Sequence, residues 1–160
     1  LNDLELSFIM LRAISVGIIL TVIVGAECTG SVGFTAAIST ERTIAINTRV
    51  KYDLVYTNDG NGYNATTGVF TAPKGGLHNF QISALVYTSN VILLDLYHNE
   101  DYRISIYGNV PNSSAVSVAN SINLRLKRGD RVYVTARIPS FLLARTQQFY
   151  ATFSGVFISP

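Results

Sequence analysis

From residue 30 onward the chain alternates apolar and polar side chains with a period of two. Phe80, Ile82, Ala84 and Val86 share one side of an extended segment. Val132, Val134, Ala136 and Ile138 repeat the pattern, as do Phe149, Ala151, Phe153, Gly155 and Phe157 near the end. Valine, isoleucine, threonine, tyrosine and phenylalanine dominate these runs, as befits a pleated, half-buried surface. No apolar stripe at helical spacing competes with them. Turn formers separate the runs: Asn58-Asp59-Gly60-Asn61-Gly62, Pro73-Lys74-Gly75-Gly76, Asn99-Glu100-Asp101 and Lys127-Arg128-Gly129-Asp130. The pattern predicts strands near 32–39, 43–47, 50–56, 67–72, 76–88, 91–98, 102–108, 114–126, 131–138 and 147–158. Ten short strands with regular turns predict one all-β domain, a sandwich or a barrel.

Two runs are apolar on both sides. One is VILLDL, Val91 to Leu96. The other is the last strand, where Tyr150, Val156 and Ile158 lie opposite the phenylalanines. A strand of an open sandwich normally keeps one wet face, so the reading places a subunit interface at 91–96 and 147–158.

The N-terminus follows a different rule. Arg12 precedes AISVGIILTVIVGA, Ala13 to Ala26, with no charge until Glu27. Fourteen helical residues span roughly 21 Å, short of the roughly 30 Å of a bilayer core. The order of basic flank, apolar run and small residues predicts a secretory signal peptide over 10–26, cleaved before Glu27, and hence a secreted, extracellular protein. A transmembrane anchor is the rival reading. Residues 1–9 precede the only methionine and are read as upstream or non-native. Residues 27–31 form a short N-terminal segment, and 32–160 the domain.

Composition narrows the function. Only 14% of residues are charged, yet 48% are hydrophobic, so the chain can bury a core. From Glu27 on, eleven basic residues face eight acidic ones. That mild excess lacks the dense Lys/Arg stripe that nucleic acid requires. The histidines are His78, placed on the strand face opposite Phe80, and His98 before a turn. With one cysteine and no His-x-His or Cys-x-x-Cys spacing, zinc is disfavoured. No Gly-x-Ser-x-Gly is present. Gly60-Asn61-Gly62-Tyr63-Asn64-Ala65 fits a loose dinucleotide pattern, but a strand follows where the phosphate-binding helix should begin. An enzyme is not predicted, nor is a cofactor. Glu100 and Asp101 are adjacent in a turn near Asp95 and are weak calcium candidates; a solvated turn is the competing reading. Two sequons, Asn64-Ala65-Thr66 and Asn112-Ser113-Ser114, fall in predicted loops and mark glycosylation candidates at Asn64 and Asn112. Cys28, alone near the predicted mature end, is a candidate for a disulfide between chains.

The spacing Tyr63-Asn64-x-x-Thr67-Gly68-x-Phe70-x-x-Pro73-x-x-Gly76-x-x-x-Phe80 resembles the signature of the complement C1q globular-head family. Phe34-Thr35-Ala36, Asn58 and Gly60, Asn99, Leu124 and Leu126, Gly129-Asp130, Val132 and Phe153-x-Gly155-Val156 match further family positions in order. The resemblance covers about 32–159. It implies a ten-stranded jelly-roll sandwich, like tumour necrosis factor, assembled as a homotrimer. The chain departs from the pattern at His78, where the family usually has tyrosine. It departs again at Gly108, where calcium-binding members carry an acid to complement the position of Glu100. No Gly-X-Y stalk is present, so the chain resembles the short secreted head-only type found in invertebrates.

That type implies lectin-like pattern recognition of microbial or sialylated glycans in innate immunity. Loop residues of the trimer would make the contacts. The candidates are Tyr97, His98, Asn99, Asp101, Tyr102 and Arg103, with Arg125 and Arg128 as basic contributors. The alternative is an extracellular signalling or structural protein of the same family that binds a protein receptor.

Overall fold

The computed structural model describes residues 30–87, 90–111, 114–145 and 147–160. Among them all regular structure is strand. One sheet contains β1 (Gly33–Ala37), β4 (Leu54–Asp59), β7 (Gly76–Tyr87), β10 (Ala115–Leu126) and β15 (Thr152–Ser159), in the order β10-β7-β15-β1-β4. The other contains β5 (Tyr63–Asn64), β6 (Val69–Thr71), β8 (Val91–His98), β9 (Asp101–Asn109) and β11 (Arg131–Ala136), in the order β5-β6-β11-β8-β9, with β3 (Thr48–Arg49) also paired to β11. Two small ribbons close one end: β2 (Arg42–Ile44) with β12 (Ser140–Leu142), and β13 (Ala144–Arg145) with β14 (Gln148–Phe149). Every pairing is antiparallel.

The inner faces of both sheets meet in one aromatic core. Phe34 stacks on Tyr63 at 4.7 Å and meets Phe153 edge-on at 4.8 Å. Phe70 and Phe80 lie 5.4 Å apart. Gly155 leaves room for these rings, since a Cβ there would stand 2.6 Å from Phe80 and 2.7 Å from Phe34. The spacing Phe153-x-Gly155 is thus a packing rule: one large ring inward, then a gap for two others.

The long strands fall where period two placed them, and the short ones do not. The run expected over 147–158 divides into β14 and β15, with Phe149 half-buried outside the core and Phe153 within it. The strand expected over 50–56 begins instead at Leu54. Residues 50–53 bind elsewhere: Val50 N–H donates to the Val134 carbonyl, and Asp53 accepts from Ser39 and Arg42.

His78 corrects the sequence reading. Positions two apart on a strand share a face. His78 therefore lies on the inner side with Phe80, fully buried, with the two rings 6.2 Å apart and nearly parallel.

VILLDL needs a second correction. Ile92, Leu94 and Leu96 enter the core. On the other side, Ser105 and Arg137 seal Asp95, β12 lies against β8, and the Leu93 N–H donates to Ser140 Oγ. The chain covers this strand itself, which removes the reason to place an interface at 91–96. β15 keeps that reason: Val156 is 51% and Ile158 50% exposed.

Both ends of the described chain meet at one pole. Lys74 Nζ donates to the Gly30 carbonyl at 3.0 Å, and Arg125 to the Pro160 carbonyl at 3.1 Å. The β10–β11 turn joins them through Gly129 N–H and the Ala72 carbonyl, 2.8 Å apart. The β8–β9 hairpin abuts that turn. The ribbons of β2, β12, β13 and β14 occupy the opposite pole. The predicted signal peptide, Cys28 and Asn112 lie outside the described residues.

Candidate functional site at the β8–β9 hairpin

The hairpin turns at Asn99 and Glu100. Asn99 has φ of 54°, a left-handed conformation that asparagine tolerates better than most residues. Its backbone N–H donates to the Arg131 carbonyl at 2.7 Å, and its side-chain oxygen accepts from Arg131 N–H at 2.9 Å. Its amide nitrogen donates to Asp130 Oδ1 at 3.2 Å. Asp130 Oδ2 accepts from Lys127 N–H at 2.8 Å and faces His98 Nε2 at 2.9 Å. The Lys127 N–H, followed by His98, holds the Asp130 carboxyl down to about 2. Asn99, Asp130 and His98 thus form the frame of the site.

Charged groups ring this frame. Arg131 pairs with Glu100 at 2.9 Å, and Arg103 with Asp101 at 3.0 Å. Arg103 also lies 3.4 Å from His98 Nδ1. A bulge brings the hairpin's aromatic residue into line: Tyr97 pairs with Tyr102 and Leu96 with Ile104, leaving Arg103 as the extra residue. Tyr102 is thereby aimed onto the outer face of the sheet.

That face carries a row of aromatic rings ending in arginines. Tyr133 stacks on Tyr97 at 5.6 Å, and Tyr97 meets Tyr102 edge-on at 6.3 Å. Arg49 covers Tyr133 at 4.3 Å, and Arg137 covers Tyr102 at 5.1 Å. Arg137 Nε is fixed by Asp95, whose other oxygen accepts from Ser105 Oγ at 2.6 Å. Burial, with the charge of Glu100 second, raises the Tyr133 phenol above its ordinary value. Arg103, Arg131 and Arg137 each have an acidic partner, while Arg49 rests on the ring and forms no ion pair among the described residues.

The fold brings Tyr97, His98, Asn99, Asp101, Tyr102 and Arg103 together, with Arg128 exposed in the neighbouring turn. Arg125 stands apart. It points outward from the other sheet, between the buried Leu124 and Leu126. Sequence reasoning missed Arg49, Asp95 as a partner, Asp130, Tyr133 and Arg137. Period two in β11 does put Arg131 and Tyr133 on one side, but the register that sets Tyr133 beside Tyr97 is not written in either strand alone.

A calcium site of the kind the resemblance implies does not fit here. Glu100 and Asp101 are each engaged by a different arginine. Gly108 lies eight residues along β9 from Glu100, roughly 26 Å at the rise of a strand. It faces inward beneath Val86 and Val118. No group of three or more metal-binding side chains occurs among the described residues.

The sequence profile of the C1q domain matches residues 33–158. The chain belongs to the C1q domain family. Human complement C1q tumor necrosis factor-related protein 2 is 28% identical over 111 residues, which cover 69% of this chain and 34% of that protein. Zebrafish Caprin-2 is 30% identical over 107 residues, 66% of this chain and 12% of that protein. The chain therefore spans about a third or less of these curated relatives.

Among solved structures, the globular domain of zebrafish complement 1qA protein superposes with a TM-score of 0.65 at 19% identity, covering 79% of this chain and 96% of that one. The Eiger TNF from S. frugiperda gives 0.64 at 14% identity, covering 81% and 93%. The C1q domain described here is thus a jelly roll of the kind shared with tumour necrosis factor ligands. Its hairpin and outer sheet form the candidate site.

Proposed function

We propose that this C1q domain acts outside the cell as a lectin-like recognition module of innate immunity, assembled as a homotrimer, and that the β8–β9 hairpin and adjoining outer face contact glycans. The observation that carries this reading is the surrounding of Tyr102. The residue is 48% exposed, under Arg137 and next in the chain to both members of the Arg103–Asp101 pair. An exposed aromatic ring offers a surface for the CH face of a sugar. The guanidinium and carboxylate groups beside it suit sugar hydroxyls, and the arginines suit the carboxylate of an acidic sugar.

The trimer is supported by two unlike apolar surfaces. Val156 and Ile158 project from the β15 face, whereas Tyr107 and Val116 line the β9–β10 edge. Unlike patches that meet between copies form a heterologous contact, which closes as a ring when the rotation allows. Three weak sites on one ring gain avidity on a repetitive surface. The predicted signal peptide supplies the route out of the cell.

A glycan and bacterial-polysaccharide array tests the reading with wild type, Tyr102→Ala and Arg103→Ala. Selective binding by wild type, lost in both variants with assembly unchanged, supports it. Binding that survives both substitutions removes the hairpin from consideration. A blank array with a folded assembly shifts the function to a protein receptor. Tyrosine and arginine side by side also suit that partner, since both are enriched at protein-binding hot spots.

A further inference from the structure

Asn64 closes β5, the outermost strand of its sheet, and pairs only inward, with Val69 of β6. Its carboxamide oxygen accepts from the N–H groups of Thr66 at 2.9 Å and Thr67 at 3.1 Å. Its own carbonyl accepts from Gly68 N–H at 2.8 Å. Gly68 makes this return possible, with φ of 72° and no space for a Cβ against the Val50 carbonyl. The side chain is therefore held with its oxygen toward the loop and Nδ2 turned away. Among the described residues no acceptor engages Nδ2, and both Asn64 and Thr66 are exposed. The same three residues form an Asn-x-Thr acceptor. Nothing in the core or the hairpin site uses them.

We propose that Asn64 is N-glycosylated. The proposal rests on the secretory route argued above. The donor is an oligosaccharide on a lipid diphosphate. Asn64 Nδ2 bonds to the anomeric carbon, the bond from that carbon to the diphosphate oxygen breaks, the lipid diphosphate departs, and the amide nitrogen gives up one proton. No oxidation or reduction is involved.

The strand that carries the acceptor is already closed on its outer side. The Asn58 carboxamide of β4 donates to the Tyr63 carbonyl at 2.8 Å and accepts from the Tyr63 N–H at 2.9 Å. A glycan on Asn64 therefore stands beside a capped edge and displaces no backbone pairing. The apolar surfaces proposed for assembly lie elsewhere, on the β15 face and the β9–β10 edge, and remain clear of the glycan.

The test is peptide mass mapping of the full chain secreted by cultured eukaryotic cells, before and after glycosidase release in heavy-oxygen water. The Asn64 peptide is expected to carry hexose and N-acetylhexosamine and to emerge as labelled aspartate. Thr66→Ala should abolish this without disturbing the turn, because Thr66 serves the turn only through its backbone N–H. Unmodified Asn64 in protein recovered from the medium overturns the modification. If the native leader yields no secreted protein, residues 27–160 behind a standard leader are mapped in the same way. That outcome counts against the leader alone, and Asn64 is still read.

Discussion

His98 Nε2 stands 2.9 Å from Asp130 Oδ2, and this contact ties the β8–β9 hairpin to the β10–β11 turn. The same carboxylate also serves Lys127 N–H and Asn99, so a single residue organises the approach to the candidate site. Asp130→Ala is expected to destabilise the domain by roughly 1.5–3 kcal/mol at pH 7, the range for hydrogen bonds to a charged group. Urea denaturation measures it. The folded carboxyl titrates near 2, below its ordinary 3.8. Its contribution is complete above about 4 and fades as pH falls toward 2. Wild type and variant should converge over that window. A constant gap there contradicts the role given to Asp130.

His78 sets a second pH dependence. Burial, its largest influence, lowers its pKa below the ordinary 6.5, with nearby Lys74 acting in the same direction and the Gly76 carbonyl opposing. Nδ1 meets that carbonyl at 3.1 Å, and Nε2 is buried with no partner. The neutral ring is the folded form. Stability is complete above about 6.5 and declines as pH falls below it, because the unfolded chain takes up the proton first. His78→Phe, placed among Phe70, Phe80 and Phe157, should flatten that decline. Melting temperatures at pH 7.5 and 5.5 decide it; equal losses in both proteins would assign the decline elsewhere.

Gly108→Asp is the substitution that would restore the family's acidic position. A Cβ at 108 would stand 3.2 Å from Val118 Cγ1 and closer still to Val86 Cγ2. The variant should lose about 1–3 kcal/mol from overpacking alone, with further loss from a buried carboxylate. Thermal melts with calcium and with chelator should coincide. A rise in melting temperature specific to calcium would contradict the inward placement of this position.

Val156→Lys tests assembly. The residue lies on the exposed side of β15, away from the core, so the fold should survive with stability within about 0.5 kcal/mol. Light scattering is expected to show a trimer for wild type and a smaller species for the variant. An unchanged trimer would exclude the β15 face as an interface.

What the sequence revealed depended on length. β7, β8 and β10 run for 8 to 12 residues, long enough for alternation to declare itself. β3, β5, β13 and β14 have two residues each, which is less than one full period. The candidate site followed the same logic. The hairpin residues from Tyr97 to Arg103 are neighbours in the chain and were found together. Asp130 and Tyr133 reach them only through the pairing of β11 with β8, and Arg49 through the pairing of β3 with β11. Asp95 was visible as a charge within an apolar run, but its partner Arg137 lies 42 positions away. His78 was a matter of counting: two residues from Phe80 is the same face.

Gly30 and Pro160 share the pole of the hairpin, and this bears on how the domain is handled. A purification tag fused directly before Gly30 or after Pro160, or a bead that captures the domain through either residue, would sit beside the hairpin. Immobilised that way, the domain would present its ribbon-bearing pole to solvent and its hairpin toward the support. An array run in that orientation would report silence from a protein facing the wrong way. Labelling an exposed residue near β13 and β14 instead would leave Tyr102 and Arg103 free to meet a ligand.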